Sequence, residues 1–118
     1  MDSLQKVVES VEGAVAGVVM GFDGIAVNSW AREGATFDVN MLGVEFSGLL
    51  AQLRRAGDAL QTGEVREVCA ISDQVTLIVR MLTEDYFMAL ALDSSANLGK
   101  GRYHLRMIEP EIRAQFFA

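Results

Sequence analysis

The chain has 118 residues, the length of one domain, and 51% of them are apolar, which lets it bury a core without disulfides or metals. Its net charge of −6 argues against a nucleic-acid backbone or an anionic membrane as the main partner, since both require a basic face. One cysteine, Cys69, lies inside an apolar run; it excludes an internal disulfide framework, offers no metal-ligand spacing and points to a cytosolic chain.

The start, Met1 to Lys6, lacks the charged-then-apolar layout of a signal peptide, and runs such as Phe87 to Leu92 are too short to span a bilayer. Leu4, Val7, Val8 and Val11 recur at helical spacing, with Asp2 or Ser3 as N-cap and Gly13 where a helix should stop. A short amphipathic helix is expected there. Small and β-branched residues from Ala14 to Met20 predict a strand, Asp23-Gly24 a hairpin turn, and Ile25 to Trp30 the returning strand. Ala31 to Phe37, with Arg32, Glu33 and Gly34, breaks the pattern. The longest helix is expected over about Asp38 to Gln61, ended by Gly63.

Within that helix Leu42, Phe46, Leu49, Leu50, Leu53 and Leu60 form a broad stripe expected to face the sheet. Nearly opposite lies a shallower set, Met41, Val44, Gly48, Ala51 and Ala59, interrupted by Arg55. Glycine in a helix interior costs about 1 kcal/mol relative to alanine, and small residues let another helix approach. The set therefore reads as a helix-to-helix dimer contact, with a plain solvated face as the alternative for its alanines.

Glu64 to Ile71 reads as a third strand, Ser72-Asp73-Gln74 as a turn, and Val75 to Leu82 as a fourth strand with Val75, Leu77, Val79 and Met81 on one face. Thr83-Glu84-Asp85 turns the chain into a fifth strand, Tyr86 to Leu92. Asp93-Ser94-Ser95 then caps a last helix carrying Leu98, Leu105, Ile108, Ile112 and Phe116. Pro110 is expected to kink or interrupt that helix. The order α-β-β-α-β-β-β-α describes a single α/β domain over residues 1–118, without repeats or low-complexity segments.

No catalytic, cofactor or metal residue emerges. His104 has Lys100 and Ile108 as its i±4 neighbours, neither of them a ligand. Gly99-Lys100-Gly101 lacks the spacing of a phosphate loop, Cys69 has no base beside it, and Glu84-Asp85 reads as solvent-facing punctuation. The hairpin tip is the sharper candidate. Phe22, Asp23 and Ile25 place two large apolar residues and a charge where a turn normally meets water, an arrangement suited to anchoring a partner; the alternative is that Phe22 folds back to close the core. Trp30, Arg32 and Glu33 form a second candidate patch, with core packing as the alternative for Trp30.

The hairpin Gly21-Phe22-Asp23-Gly24-Ile25-Ala26-Val27 and the helix opening Asn97-Leu98-Gly99-Lys100-Gly101-Arg102-Tyr103, with the order of elements, resemble the roadblock/LC7 family over nearly the whole chain. The resemblance implies a longin/profilin-like α/β sandwich, with a five-stranded, mainly antiparallel sheet flanked by helices. It further implies a cytoplasmic dimer that serves small Ras-like GTPases or dynein as a scaffold. The lack of eukaryote-specific features points to the bacterial gliding-motility (Mgl) branch. MglB-type members, GTPase-activating proteins for MglA-type GTPases, extend past the last helix, whereas this sequence stops at Ala118, which favours the MglC-type adaptors. The implied role is a non-enzymatic adaptor in a cell-polarity module at the cell poles, without a cofactor. Its implied partners are a second copy of itself, another roadblock protein of MglB type or a polarity regulator, and through them a Ras-like GTPase. Family dimers pair the long helices and join the sheets through the third strand. That places the dimer contact on Met41, Val44, Gly48, Val65, Arg66, Glu67 and Val68, with Arg66 and Glu67 available to set register. Two alternatives stand beside it. One is a GTPase activator or co-activator, for which Arg32 or the Arg54-Arg55 pair can supply charge; the other is a small-molecule sensor of PAS or profilin type, which needs a polar-lined cavity.

Overall fold

In the computed structural model, which describes residues 2–36 and 38–117, the first two helices begin where short acidic side chains can hold free amides. Met1, Ala118 and Phe37, the last residue of the expected pattern break, lie outside the described residues. Asp2 opens α1 (Ser3–Ser10) by accepting the Gln5 amide at 2.9 Å. Asp38 opens α2 (Val39–Leu60) by accepting the Asn40 and Met41 amides at 2.9 and 3.4 Å. Between them run β1 (Ala14–Gly21) and β2 (Ala26–Ala31); after α2 follow β3 (Glu67–Ile71), β4 (Val75–Met81), β5 (Tyr86–Asp93) and α3 (Leu98–Phe117).

The strands form one sheet in the order β2-β1-β5-β4-β3, every neighbouring pair antiparallel. The central strands are covered on both faces, so their alternation divides two apolar sets. Val19, Ile78, Met88, Leu90 and Leu92 pack with Leu4, Val7 and Val8 of α1 and Leu105, Ile108 and Ile112 of α3. Ala16, Val18, Met20, Leu77, Val79, Phe87 and Ala89 pack with Val39 and Leu50 of α2. Thus α1 and α3 lie on one side, α2 on the other, and β2 and β3 are left as the edges.

Four details differ from the sequence reading, the first being the start of α3: Asp93 ends β5, and Asn97 rather than Asp93-Ser94-Ser95 caps the helix, its Oδ1 accepting the Lys100 amide at 2.9 Å. In α2, Leu49 and Leu60 are exposed, and the sheet-facing line runs through Val39, Gly43, Ser47, Leu50 and Gly57. A Cβ at Gly43 would lie 2.8 Å from Met20 Sδ. The line of closest approach is therefore made by small residues, which a stripe of large apolar residues cannot reveal. Gln61, not Gly63, adopts the left-handed cap conformation (φ 57°), and Gly63 (φ 93°) then turns the chain toward β3, which starts three residues later than Glu64. Finally, α3 runs unbroken through Pro110. The carbonyl deprived of its donor belongs to Arg106, and both residues are exposed, so solvent can replace the missing bond. Among the described residues no helix is long and apolar enough to cross a membrane.

Candidate functional site

The β1–β2 turn is built by its own backbone. Gly21 N–H donates to Ile25 O at 2.9 Å, Gly24 N–H donates to Gly21 O at 2.9 Å, and Asp23 Oδ1 accepts the Ile25 amide at 3.0 Å. This arrangement separates the three candidate residues. Phe22 is half-buried rather than exposed: its ring packs 5.2 Å from Phe87, the Arg54 guanidinium sits 4.6 Å above it, and its amide donates to Asp85 O at 2.9 Å. Phe22 thus closes the core beneath α2. Asp23 is exposed, with one oxygen engaged in the turn, and Ile25 projects outward, 68% exposed.

The tip leans on α2. A Cβ at Gly24 would meet Val44 Cγ2 at 3.6 Å, so the turn that carries Ile25 lies against the outer face of that helix. There Met41 and Val44 are 64% and 47% exposed, and a Cβ at Gly48 would meet nothing within 4 Å. Met41, Val44 and Gly48, successive turns of α2, leave an apolar, unfilled line flanked by the exposed Glu45 and Leu49, and the exposed Ile25 follows Gly24 at the Val44 contact.

At the opposite edge, Arg66 O accepts the Met81 amide and Ser72 N–H donates to Val75 O. By alternation the backbone groups of Glu67, Cys69 and Ile71 face the free side of β3. Val68 packs into the α2-side core, Val65 is half-buried, and Arg66 is exposed. Glu67 is no loose register charge. Its Oε1 lies 3.0 Å from Arg80 Nη1 and its Oε2 2.7 Å from Arg102 Nη2; Arg80 Nε reaches Glu109 Oε1 at 2.7 Å, and Arg113 Nε reaches Glu109 Oε2 at 3.0 Å. This chain of charges ties β3 and β4 to α3. Burial pushes the Glu67 and Glu109 carboxyls up, but the hydrogen bonds and charges of Arg102, Arg80 and Arg113 outweigh it and hold both below the ordinary carboxylate range. Desolvation and the adjacent Glu67 push the Cys69 thiol up, with Arg102 opposing.

The remaining candidates have structural partners. Trp30 packs against the α1-side core. Arg32 donates from Nε to Ala14 O at 2.6 Å and from Nη2 to Val8 O at 2.8 Å, serving carbonyls at the end of α1 and the start of β1, while Glu33 is exposed. His104 meets the Tyr103 ring edge-on at 5.4 Å. The Lys100 amide donates to Asn97 Oδ1 at 2.9 Å in a helix cap. A groove of about 450 Å³ opens at the end of the sheet, lined by the 64–66 and 80–84 segments and flanked by Arg54 and Asp58 of α2 on one side and Glu109 and Arg113 of α3 on the other. No group of His, Cys, Asp and Glu able to hold a metal occurs among the described residues.

No protein-family model matches the chain, and no curated protein matches it. Among solved structures, MglC from Myxococcus xanthus is 46% identical over 97% of this chain and 96% of its own, with a TM-score of 0.70. A roadblock/LC7 domain from Streptomyces avermitilis superimposes with a TM-score of 0.84 at 20% identity, covering 100% of both chains. An MglB in a tetrameric arrangement gives 0.81 at 17% identity, over 91% of this chain and 79% of its own. The latter two likenesses concern the fold.

Proposed function

The chain belongs to the roadblock/LC7 family, in its bacterial gliding-motility branch, and from that premise we propose that it is a non-enzymatic homodimeric adaptor in a small-GTPase cell-polarity module. The observation that carries this reading is the unfilled apolar line of Met41, Val44 and Gly48 on α2, with the exposed Ile25 on the turn beside it. Its partners are a second copy and another roadblock protein of MglB type or a polarity regulator, and through them a Ras-like GTPase. It acts in the cytoplasm, at the cell poles. In the dimer the two α2 helices pair at Met41, Val44 and Gly48, and the two β3 edges join over Val65 to Val68. The tetrameric MglB supports the idea that such domains assemble with one another.

Self-association is tested at Val44 and Gly48. Because the Gly48 surroundings are empty, leucine there fits the isolated subunit, and any loss of association reports on what lies opposite. Val44→Glu buries a like-charged pair across a two-fold contact and is expected to weaken the dimer roughly 100-fold. Sedimentation equilibrium measures it, and an unchanged dimer in both variants rules out the helix contact. If the β3 edges pair about Arg66 and Glu67, the exposed Arg66 replaced by cysteine (Arg66→Cys) in a Cys69→Ser background lets a short bismaleimide join two copies; failure of that cross-link in an intact dimer removes β3 from the interface.

Partner binding is tested at Ile25, which can change without disturbing the core. Tagged protein recovered from its own cells should bring down a roadblock protein, a polarity regulator or a Ras-like GTPase, and Ile25→Asp should lose it while remaining folded and dimeric. Equal recovery by the variant refutes the hairpin as the docking point. Faster nucleotide turnover by the recovered GTPase identifies an activator instead, and a small molecule retained in native mass spectra identifies a sensor.

A further inference from the structure

The face of α3 turned away from the sheet has a chemistry unlike the rest of the molecule. Gly101, Leu105, Ile108 and Ile112 point inward and carry the packing, and Arg102, Glu109, Glu111 and Arg113 are engaged in ion pairs, which leaves the line through Lys100, Tyr103, Arg106 and Met107. Two of these are large and apolar: Tyr103 and Met107, one turn apart, are 58% and 60% exposed. The Tyr103 ring lies edge-to-face with that of His104, centroids 5.4 Å apart and planes at 87°. Lys100 and Arg106 flank the pair, and neither has a salt-bridge partner among the described residues.

The carboxylates of the helix are already engaged. Glu109 is shared by Arg80 and Arg113, and Glu111 is paired with Lys6 at 3.0 Å. A chain with a net charge of −6 therefore presents a locally cationic surface with an aromatic and a thioether at its centre, residue types enriched in interface cores.

We propose that the Lys100–Tyr103–Arg106–Met107 face of α3 docks an acidic segment of a partner protein that carries a bulky apolar side chain. The apolar group covers Tyr103 and Met107, while carboxylates on either side meet Lys100 and Arg106. An anionic lipid surface fits less well, because polybasic membrane sites gather about four to eight cations and the remainder of this chain is acidic and is repelled by such a surface. Since α3 and α2 lie on opposite sides of the sheet, this face stays accessible while the α2 surface is occupied. One subunit can then hold two different partners, the property that the adaptor reading requires, although the docking itself does not depend on dimerisation.

The probe is a synthetic peptide rich in Glu and Asp with a Phe or Leu at every fourth position, beside a counterpart with Lys for every acid. Amide NMR shifts of the full chain should move at Lys100, Tyr103, Arg106 and Met107 with the acidic peptide only, and affinity should fall at least about tenfold in Lys100→Glu/Arg106→Glu and in Tyr103→Ala/Met107→Ala. These side chains are exposed, so circular dichroism should show both variants folded. Equal binding by the variants, shifts confined to α2 or the hairpin, or no shift at all overturns the proposal. Vesicles of phosphatidylserine and phosphatidylcholine complete the test: binding of vesicles but not of peptide, lost in the charge variant, assigns the face to a lipid surface instead. A lost dimer contact at Val44 leaves each of these readouts intact, so the two readings fail separately.

Discussion

Gly13→Ala is expected to cost about 3 kcal/mol of stability, close to what a large core truncation costs. Gly13 holds φ at +88° between α1 and β1, and its missing Cβ would lie 2.6 Å from Ala96 Cβ and 2.9 Å from Ala96 Cα. Its carbonyl also accepts the Asp93 amide at 2.8 Å, so moving this turn away from Ala96 strains the join between β1 and the end of β5. The left-handed conformation contributes roughly 1 kcal/mol and overpacking against backbone roughly 2 more. Gly34 separates these contributions: it has nearly the same φ, +86°, but nothing within 4 Å of its Cβ position. Gly34→Ala should therefore cost only about 1 kcal/mol. Urea midpoints of the two variants measure the difference, and equal losses would mean that the Ala96 contact contributes nothing.

Arg80→Met should destabilise the protein by about 2 kcal/mol at neutral pH. Arg80 stands between Glu67 and Glu109, and all three side chains are largely buried. Arg102 and Arg113 remain to partner the two carboxylates, which keeps the loss below that of a fully orphaned pair. The effect depends on pH with a definite sign. Both carboxyls are held below their ordinary value of 4.5 in the folded protein, so near that pH the unfolded chain binds more protons. The stabilisation is complete above about pH 4.5 and is lost as pH falls through the depressed values. Wild-type protein should thus lose stability more steeply than Arg80→Met as pH falls below about 4.5, and the two should converge at the acid end. Parallel acid limbs in denaturant titrations would show that the network does not stabilise the fold.

The exposed apolar residues Ile25, Met41 and Val44 were partly legible in advance, because an apolar residue beside an Asp-Gly turn and a second apolar stripe on a helix are features of local spacing. The α3 face was not. Its helix was read by the inward residues Leu98, Leu105 and Ile108, whereas the signal of Tyr103 and Met107 one turn apart between Lys100 and Arg106 lay on the other side of the same periodicity. Phe22 shows the opposite limit. Nothing in Gly21-Phe22-Asp23 distinguishes an exposed anchor from a ring packed on Phe87 under Arg54.

The sequence by itself determined the order of eight elements, helix starts near Asp2 or Ser3 and near Asp38, a hairpin turn around Asp23-Gly24 and the α/β class. These depend on caps, turns and periodicities, whose free energies are set by residues a few positions apart. Only the tertiary structure decided that Gly43 and Ser47, not Leu49 and Leu60, face the sheet, that Arg32 serves the carbonyls of Val8 and Ala14, and that Glu67 is bound into a network reaching Arg113. Each of those outcomes depends on which surfaces meet after strands and helices distant along the chain have packed, and the pattern of any one segment does not contain its partner.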